Sequence, residues 1–331
     1  MLEEMQPKDK VDVALKGNDA NAIKTETKSI KTQVVYRLLD GVWEDFENVL
    51  LIDKLAFYKI FFRQLKSNGE LLLEIEFDKD GSELTKTTNT YNDAGSVSLS
   101  SIYNEGLFIE KTEYTYDDKN RLVKESKEFD EGYPLSSTYF YDEENRVIEK
   151  RIEDSDGELQ KRETFLYATN WKDKVVKHVI YDEENKVSVV EENEWEEREG
   201  QVKAKKFIVT DIFLDNYRRT EFFDPRTRED HIVMATFDGK EKVLEYVKTL
   251  FDEKDRELVE ESVSVNDSDN FKVFYSYDEL DRVILQEQKQ ADLLMSKINR
   301  RFGEHGLADL IAVHSYSRGN YVDVFEYEFH S

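Results

Sequence analysis

The sequence predicts a mainly β protein: a long, repetitive antiparallel β-meander that forms an open curved sheet or a β-solenoid, with a C-terminal capping helix and a terminal hairpin. Three observations support this prediction. A twelve-residue pattern recurs along the 331-residue chain, apolar and polar residues alternate before its copies, and each copy contains the residues that tight turns require. The hydrophobic share of 39% and the charged share of 36% also favour a thin structure over a thick, multilayer core.

The repeat is centred on an aromatic residue that is followed by Asp or Asn, with Gly, Asn or Asp four positions after the aromatic. Asp or Asn at the start of a turn accepts hydrogen bonds from backbone amides two residues on. Gly, Asn and Asp tolerate the left-handed residue that follows a type I turn in a short bulged hairpin. Each copy therefore predicts a strand, a turn and a return strand. The copies begin at Phe77, Tyr91, Tyr116, Tyr141, Tyr181, Phe251 and Tyr277.

The spacing of the aromatic residues predicts how the strands follow one another. Between positions 77 and 141 the aromatics stand at 77, 91, 103, 116, 129 and 141, in steps of 12 to 14 residues. About four residues of each step form the turn, which leaves roughly nine for a strand of ~30 Å at ~3.3 Å per residue. Alternate turns are then expected on opposite edges of the sheet. Residues 71–290 are predicted to form this repeat sheet.

The segments on either side of the repeat are expected to cap it. Residues 1–33 are polar and are predicted to form a flexible arm. Residues 34–70 are the most hydrophobic part of the chain and are expected to cover the first sheet edge as strands, or as a short helix with strands, because open edges invite aggregation. Residues 291–331 are predicted to form a helix and a hairpin that turns at Gly319-Asn320. The helical spacing is carried by Ala291, Leu294, Met295, Ile298 and Phe302, before Gly303.

Charge and cysteine content limit the classes of partner. A net charge of −26 disfavours direct binding to nucleic acid and to anionic membranes, and the apolar stretch 49–62 is too short and too charged for membrane insertion. The expected partner is a protein, with a basic protein as one option; the oligomeric state is left open. The absence of cysteine excludes disulfides and thiolate chemistry. The N-terminus has no apolar signal region, so the sequence predicts a cytoplasmic protein, or a periplasmic or cell-surface one if a signal peptide was removed.

The sequence shows no pattern of catalytic or cofactor-binding residues. A glycine-rich phosphate loop is absent, and the five histidines show no ligand spacing. The acidic turns at Asp78 and Asp154 approach a calcium loop, but turn formation explains their acids without a metal. The sequence therefore predicts a protein that is not an enzyme and that has no catalytic residues, cofactor or metal site.

Two sets of residues are candidates for a structural or binding role. The turn residues are expected to shape the hairpins, with the arginines at the turn exits bridging to neighbouring acidic turns; recognition of an acidic partner is the alternative. These residues are Asp117, Asn120, Arg121, Asp142, Asn145, Arg146, Asp278, Asp281 and Arg282. The tyrosine rows either line a binding surface for a protein or a sugar, or stabilise the sheet by cross-strand packing of about 0.2–1 kcal/mol per pair. These tyrosines are Tyr114, Tyr116, Tyr139, Tyr141, Tyr275 and Tyr277.

The pattern Tyr-Asp-x-x-Asn/Gly-Arg-Leu/Val resembles the YD-repeat family, also called RHS repeats, over roughly residues 71–290. The best matches are Tyr116-Asp117 through Arg121-Leu122, Tyr141-Asp142 through Arg146-Val147, and Tyr277-Asp278 through Arg282-Val283. The resemblance implies a long β-sheet, which in large toxin and teneurin-like members spirals into a shell around a payload. Most copies here have Asn or Asp where the family favours Gly, and the chain is much shorter than the shell-forming members. An open curved sheet or a small β-solenoid is therefore expected.

The functional expectation is a non-enzymatic scaffold or protein-binding protein, because an extended sheet presents broad surfaces. One alternative is a bacterial immunity or inhibitor protein whose acidic surface neutralises a basic toxin. Another is a carbohydrate-binding or envelope-associated module that uses the tyrosine rows.

Overall fold

The computed structural model describes 22 β-strands, and it places no helix in the described part of the chain. The described residues are 29–39, 57–198, 200–212, 216–224, 227–235, 241–264, 270–317 and 319–330. The first eleven strands are β1 (Ile30–Leu39), β2 (Tyr58–Leu65), β3 (Leu71–Phe77), β4 (Glu83–Tyr91), β5 (Val97–Asn104), β6 (Leu107–Tyr116), β7 (Leu122–Phe129), β8 (Leu135–Tyr141), β9 (Val147–Asp154), β10 (Leu159–Tyr167) and β11 (Val175–Tyr181). The remaining strands are β12 (Val187–Arg198), β13 (Gln201–Asp211), β14 (Asn216–Asp224), β15 (Thr227–Ala235), β16 (Glu241–Phe251), β17 (Glu257–Ser264), β18 (Phe271–Tyr277), β19 (Val283–Gln290), β20 (Leu293–Phe302), β21 (Ala308–Ser315) and β22 (Gly319–Phe329).

The strands form one antiparallel sheet in which each strand pairs with its neighbours in the chain. The predicted β-meander is thereby confirmed. β1 pairs with β2 on one side and with β22 on the other, so the first and last strands are also hydrogen-bonded neighbours. The series of pairings therefore returns to the strand at which it began, a connection that the predicted open sheet did not include.

The predicted C-terminal helix is wrong. Residues 293–302 form β20, which pairs with β19 and with β21. Ala291 occupies the tight turn before β20 with a φ of +51°. Ile298 and Phe302 are four residues apart, and this even spacing fits one face of a strand as well as one face of a helix. A bulge between Leu294 and Ser296 pairs Leu294 with Lys289, on the opposite face. The spacing alone could not distinguish the two structures, and pairing with both neighbouring strands decided between them.

The N-terminal expectations are only partly covered by the described residues. Residues 1–28 of the predicted arm lie outside the described part of the chain, and residues 30–33 belong to β1. Within the predicted cap, residues 34–39 and 58–65 are strand residues of the same sheet. Residues 40–56 also lie outside the described part.

Successive turns alternate between the two edges of the sheet, as the spacing predicted. The turns that follow Tyr91, Tyr116, Tyr141 and Tyr277 end even-numbered strands and share one edge, here called the first rim. The turns that follow Phe77 and Tyr181 end odd-numbered strands and lie on the opposite edge, the second rim. The recurrent sequence pattern is therefore used at both edges.

The strand registers divide the side chains between two faces. Successive side chains point to opposite faces of a strand, and cross-strand partners share a face. Tyr114 pairs with Glu125, which pairs with Ser137 on the strand that carries Tyr139. The same rule, followed strand by strand to β18, brings Tyr275 to this face. This surface is called the Tyr face below, and it carries all six candidate tyrosines.

The two faces differ in what they bury. On the Tyr face the buried side chains include small polar ones, namely Thr112, Ser137, Thr249 and Ser262. The buried apolar cluster of Leu310, Ala312 and Val322, with Phe57 and Val324 packed against it, lies on β21 and β22. Since Ile298 pairs with Val313 on the Tyr face, Leu310 and Ala312 point to the opposite face. The Tyr face is therefore polar and aromatic and does not resemble a hydrophobic core.

Because the described ranges contain no helix, no described segment is a candidate transmembrane helix.

Candidate functional site

Each Tyr-Asp turn on the first rim is closed by its own aspartate and arginine. At Asp117 the Oδ1 atom accepts backbone N–H bonds from Lys119 and Arg121, both 2.9 Å, and Oδ2 accepts from the Arg121 Nε at 2.7 Å. Asn120 sits between them with a φ of +58°, in the left-handed region that Asn tolerates. Hydrogen bonds from the Arg121 amide and guanidinium lower the pKa of Asp117. The same arrangement recurs at Asp142–Arg146, Asp252–Arg256 and Asp278–Arg282.

The turn arginine also reaches the next turn on the same rim. Arg121 Nη1 donates to Asn145 Oδ1 at 2.8 Å, and Arg256 Nη1 donates to Asp281 Oδ1 at 2.5 Å. The guanidinium of Arg121 also lies 4.6 Å from the centroid of the Tyr141 ring, in a cation–π contact. One arginine therefore closes its own turn and holds the following one. The same cation–π contact with the next aromatic ring is made by Arg146 over Tyr167, Arg256 over Tyr277 and Arg282 over Phe302.

The tyrosine of the motif connects each hairpin to the hairpin before it. The Tyr116 hydroxyl donates to the carbonyl of Val97 at 2.8 Å, and the Tyr141 hydroxyl donates to that of Leu122 at 2.6 Å. The acceptor is in both cases the first residue of the preceding return strand, 19 positions earlier. Equivalent bonds come from Tyr91, Tyr167, Trp195, Tyr277 and Tyr327. The sequence motif thus specifies contacts between hairpins as well as the turn itself.

The six candidate tyrosines therefore fall into two groups. Tyr116, Tyr141 and Tyr277 use their hydroxyls to bond a neighbouring backbone. The other three, Tyr114, Tyr139 and Tyr275, lie two residues earlier on the same face and are half-buried. Burial raises the pKa of these three hydroxyls, and carboxylates raise it further: Glu125 beside Tyr114 and Tyr139, and Glu260 beside Tyr275. These hydroxyls remain protonated at neutral pH, and that of Tyr139 donates its hydrogen bond to the carboxylate of Glu125.

Sequence reasoning missed a three-strand polar cluster on the Tyr face. His178 Nε2 lies 3.1 Å from Glu163 Oε2, and its Nδ1 lies 2.8 Å from Glu191 Oε2. The imidazole stacks on Phe165 with ring centroids 4.4 Å apart. Hydrogen bonds to the two glutamates raise the pKa of His178, and the bond from His178 lowers the pKa of Glu163 to about 2. The alternation of strand residues could have placed these groups on one face, but the registers that bring them together depend on bulges that the sequence does not reveal.

The carboxyl group of Glu260, on β17, has a raised pKa, in contrast to that of Glu163. Glu260 is half-buried on the Tyr face, between Thr249 and Val273 in the cross-strand register. Burial raises its pKa, and the nearby carboxylate of Glu257 adds to that effect. In the described part of the chain, no three His, Asp or Glu side chains are grouped as they would be to hold a metal ion.

The fold and the repeated contacts define an all-β repeat protein built from a single antiparallel meander. No family model matches the sequence, and no curated protein matches it. The chain is similar to the solved structure of TcdB2-TccC3 without its hypervariable C-terminal region, at 11% identity and a TM-score of 0.30; the match covers 88% of this chain and 18% of that one.

Two porin-like proteins are also similar. The protein from Bacteroides uniformis ATCC 8492 is 9% identical with a TM-score of 0.30, and the match covers 91% of this chain and 99% of that one. The protein from Bacteroides vulgatus ATCC 8482 is 8% identical with a TM-score of 0.21, over the same 91% and 99%. At these TM-scores the three likenesses support no conclusion about what this chain does.

Proposed function

We propose that this protein is a non-enzymatic, YD-repeat-like scaffold that binds a protein partner on its Tyr face. The observation that supports the proposal is the composition of that face. A face that packed against a second layer of the same protein would be apolar, whereas this one exposes tyrosine rings among serine, threonine, glutamate and glutamine side chains. Tyrosine with small polar residues provides rigid contact area and adaptable hydrogen bonds in protein recognition.

The division of labour between the tyrosines supports the same function. Tyr116, Tyr141 and Tyr277 hold the sheet together, so the scaffold does not depend on a partner for its hairpin contacts. Tyr114 and Tyr275 stand beside them, and their rings are only half-buried. A partner that covers these rings gains buried apolar area, at about 25 cal/mol per Å², without reorganising the strands.

The charge of the chain favours a partner with basic groups. Both rims carry exposed acids beyond those that close the turns; examples are Asp118, Glu143, Glu183, Glu253 and Glu279. Acids of this kind attract a basic protein from solution, and salt screens the attraction. If the partner is a toxin, the same surface makes this protein its inhibitor, which is the alternative that the net charge of −26 favours.

The test compares two triple variants of the full chain in partner capture. In the first, Tyr114, Tyr139 and Tyr275 are changed to Thr, which removes three rings of the Tyr face and introduces β-branched side chains that strands favour. In the control, the exposed Phe140, Leu166 and Leu250 of the opposite face are changed to Thr. The proposal predicts that the first variant loses the partner and that the control retains it. Equal capture by both variants would refute the Tyr face as the binding surface.

Two further readouts separate the alternatives. A scaffold leaves the captured partner active, whereas an inhibitor abolishes its activity and binds more weakly as salt is raised. A carbohydrate-binding module would instead show quenching of Tyr and Trp fluorescence during titration with polysaccharide and would capture no protein through the Tyr face.

A further inference from the structure

Arg300 has a guanidinium group with an unusual environment for a chain this acidic. It lies on the Tyr face, because Gln286 pairs with Ile298 and Arg300 follows two residues later on β20. Its Nη2 donates to Gln286 Oε1 at 3.2 Å, while its Nη1 is buried and has no hydrogen-bond partner in the described structure. Burial lowers the pKa of this guanidinium, and the neighbouring group that acts against the shift is the phenol of Tyr275.

The other arginines provide the comparison. Each of the other ten whose side chains are described has a carboxylate oxygen within 3.8 Å. Arg301, the next residue on the same strand, points to the opposite face and contacts Asp309 through Nε at 2.9 Å and through Nη2 at 3.2 Å. Arg300 alone among these side chains lacks an acid, in a sequence with 73 acidic residues.

A desolvated cation without an anion is costly to fold, and an added counter-charge relieves that cost. We infer that Arg300, with Gln286 and Tyr275, forms a binding site for a carboxylate group on the Tyr face. The unpaired Nη1–H is the donor for one carboxylate oxygen, which must displace the side chains that cover Nη1, and the Tyr275 hydroxyl is a neutral donor near the guanidinium. Gln286 Oε1 accepts from Nη2 and thereby fixes the plane of the guanidinium.

A carboxylate fits this site better than a phosphate group does. One guanidinium balances the single charge of a carboxylate, and its planar fork matches the carboxylate geometry. A phosphate group carries a charge of up to −2 and would meet the negative field of a chain with a net charge of −26. The proposed scaffold function does not depend on this site, and the site can be tested without a protein partner.

The test uses the full chain labelled with ¹⁵N-arginine, and it follows the side-chain Nε–Hε signals by NMR. Sodium acetate is titrated against sodium chloride at constant ionic strength, and inorganic phosphate is titrated in a parallel series. The inference predicts that acetate shifts one arginine signal saturably and that chloride leaves it unchanged. Arg300→Met should lack both this signal and its acetate response, which assigns them to Arg300, while Arg301→Met should keep both. No acetate-dependent shift, an unchanged response in Arg300→Met, or a response to phosphate without one to acetate would overturn the inference.

Thermal unfolding without added ligand provides a second measurement. Since Arg300 has no internal acid, Arg300→Met should unfold at or above the Tm of the wild-type protein. Arg301→Met should unfold at a lower temperature, because it leaves Asp309 without its cation. If Arg300→Met fails to fold, or unfolds below Arg301→Met, Arg300 supports the sheet through internal contacts and the inference is wrong.

Discussion

The cluster of His178, Glu163 and Glu191 gives the protein a specific pH-dependent contribution to stability. Its three strands, β10 to β12, are joined by two side-chain bonds to one imidazole. Lys161 on β10 also contacts Glu163, at 2.8 Å. Glu163→Gln keeps the shape of the side chain but removes its charge. We expect this change to destabilise the sheet most where His178 is protonated and Glu163 would be ionised.

The magnitude follows from the shift in the pKa of Glu163. Its pKa falls from 4.5 to about 2 because of the bond from His178, with a smaller contribution from Lys161, and the side chain is 13% exposed, so solvent screening is small. A shift of this size corresponds to roughly 3 kcal/mol of stabilisation, at about 1.4 kcal/mol per pKa unit. Because the pKa of Glu163 is lowered, this contribution is present above pH 4.5 and is lost as the pH falls towards 2. Because the pKa of His178 is raised, its contribution is present below pH 6.5 and is lost at higher pH, as His178 deprotonates.

The assay is urea unfolding of the wild-type protein and of Glu163→Gln between about pH 3 and 9. The difference in the free energy of unfolding should be largest between pH 4.5 and 6.5 and should shrink on both sides. Glu192→Gln is the control, because Glu192 is adjacent to Glu191 but pairs with Lys177 at the surface, with 56% of its side chain exposed. Exposed pairs of this kind contribute about 0–1 kcal/mol. A difference for Glu163→Gln that does not vary with pH would refute the assignment of a charged His178–Glu163 pair.

Three further sets of substitutions test the repeat contacts and the first strand by urea unfolding. Tyr116→Phe should lower the free energy of unfolding by about 1 kcal/mol, the usual value of one hydrogen bond. Phe302→Tyr should raise it by a similar amount, because Phe302 holds the equivalent position without a hydroxyl. A loss of stability in Phe302→Tyr would contradict the equivalence. Arg37→Met should cost about 3–5 kcal/mol, because it leaves the buried carboxylate of Asp323 unpaired, and Arg37→Met with Asp323→Leu should recover most of it. Asn120→Val should cost about 1–2 kcal/mol at a φ of +58°, whereas Asn120→Gly should be nearly neutral; equal costs would argue against backbone strain.

The turns could be predicted from sequence because they depend on local chemistry. Asp117 and Asn120 act within four residues of each other, and each has a conformational preference that is largely independent of the rest of the chain. The strand order followed from the same turns, since short hairpin connections leave little choice of neighbour. The helix prediction at Ile298 and Phe302 failed because a four-residue spacing satisfies both periodicities.

The role of the motif tyrosine could not be predicted by the same means. Its hydroxyl bonds a carbonyl 19 or 20 residues earlier, for example from Tyr116 to Val97, and that distance spans two strands and a turn. The sequence pattern therefore does not distinguish the tyrosines of each row from one another, although alternate members differ in role. The environment of Arg300 could not be predicted from the sequence either, because the lack of an acid partner depends on three-dimensional neighbours and not on sequence spacing.

The pairing of β1 with β22 depends on contacts that the repeat does not contain. In each hairpin the tyrosine hydroxyl bonds to the preceding hairpin, and the arginine contacts the following one. These contacts therefore run in one direction along the sheet and continue to Tyr327 on β22. The described residues 29–39 contain no such turn motif to receive it. Arg37 instead donates through Nε and Nη2 to Asp323 at 2.7 and 2.8 Å, and its guanidinium stacks on Tyr321 at 4.1 Å. One buried ion pair replaces the turn contacts where the two ends of the meander meet, so a change at Arg37 should weaken this junction while the hairpin contacts elsewhere in the sheet persist.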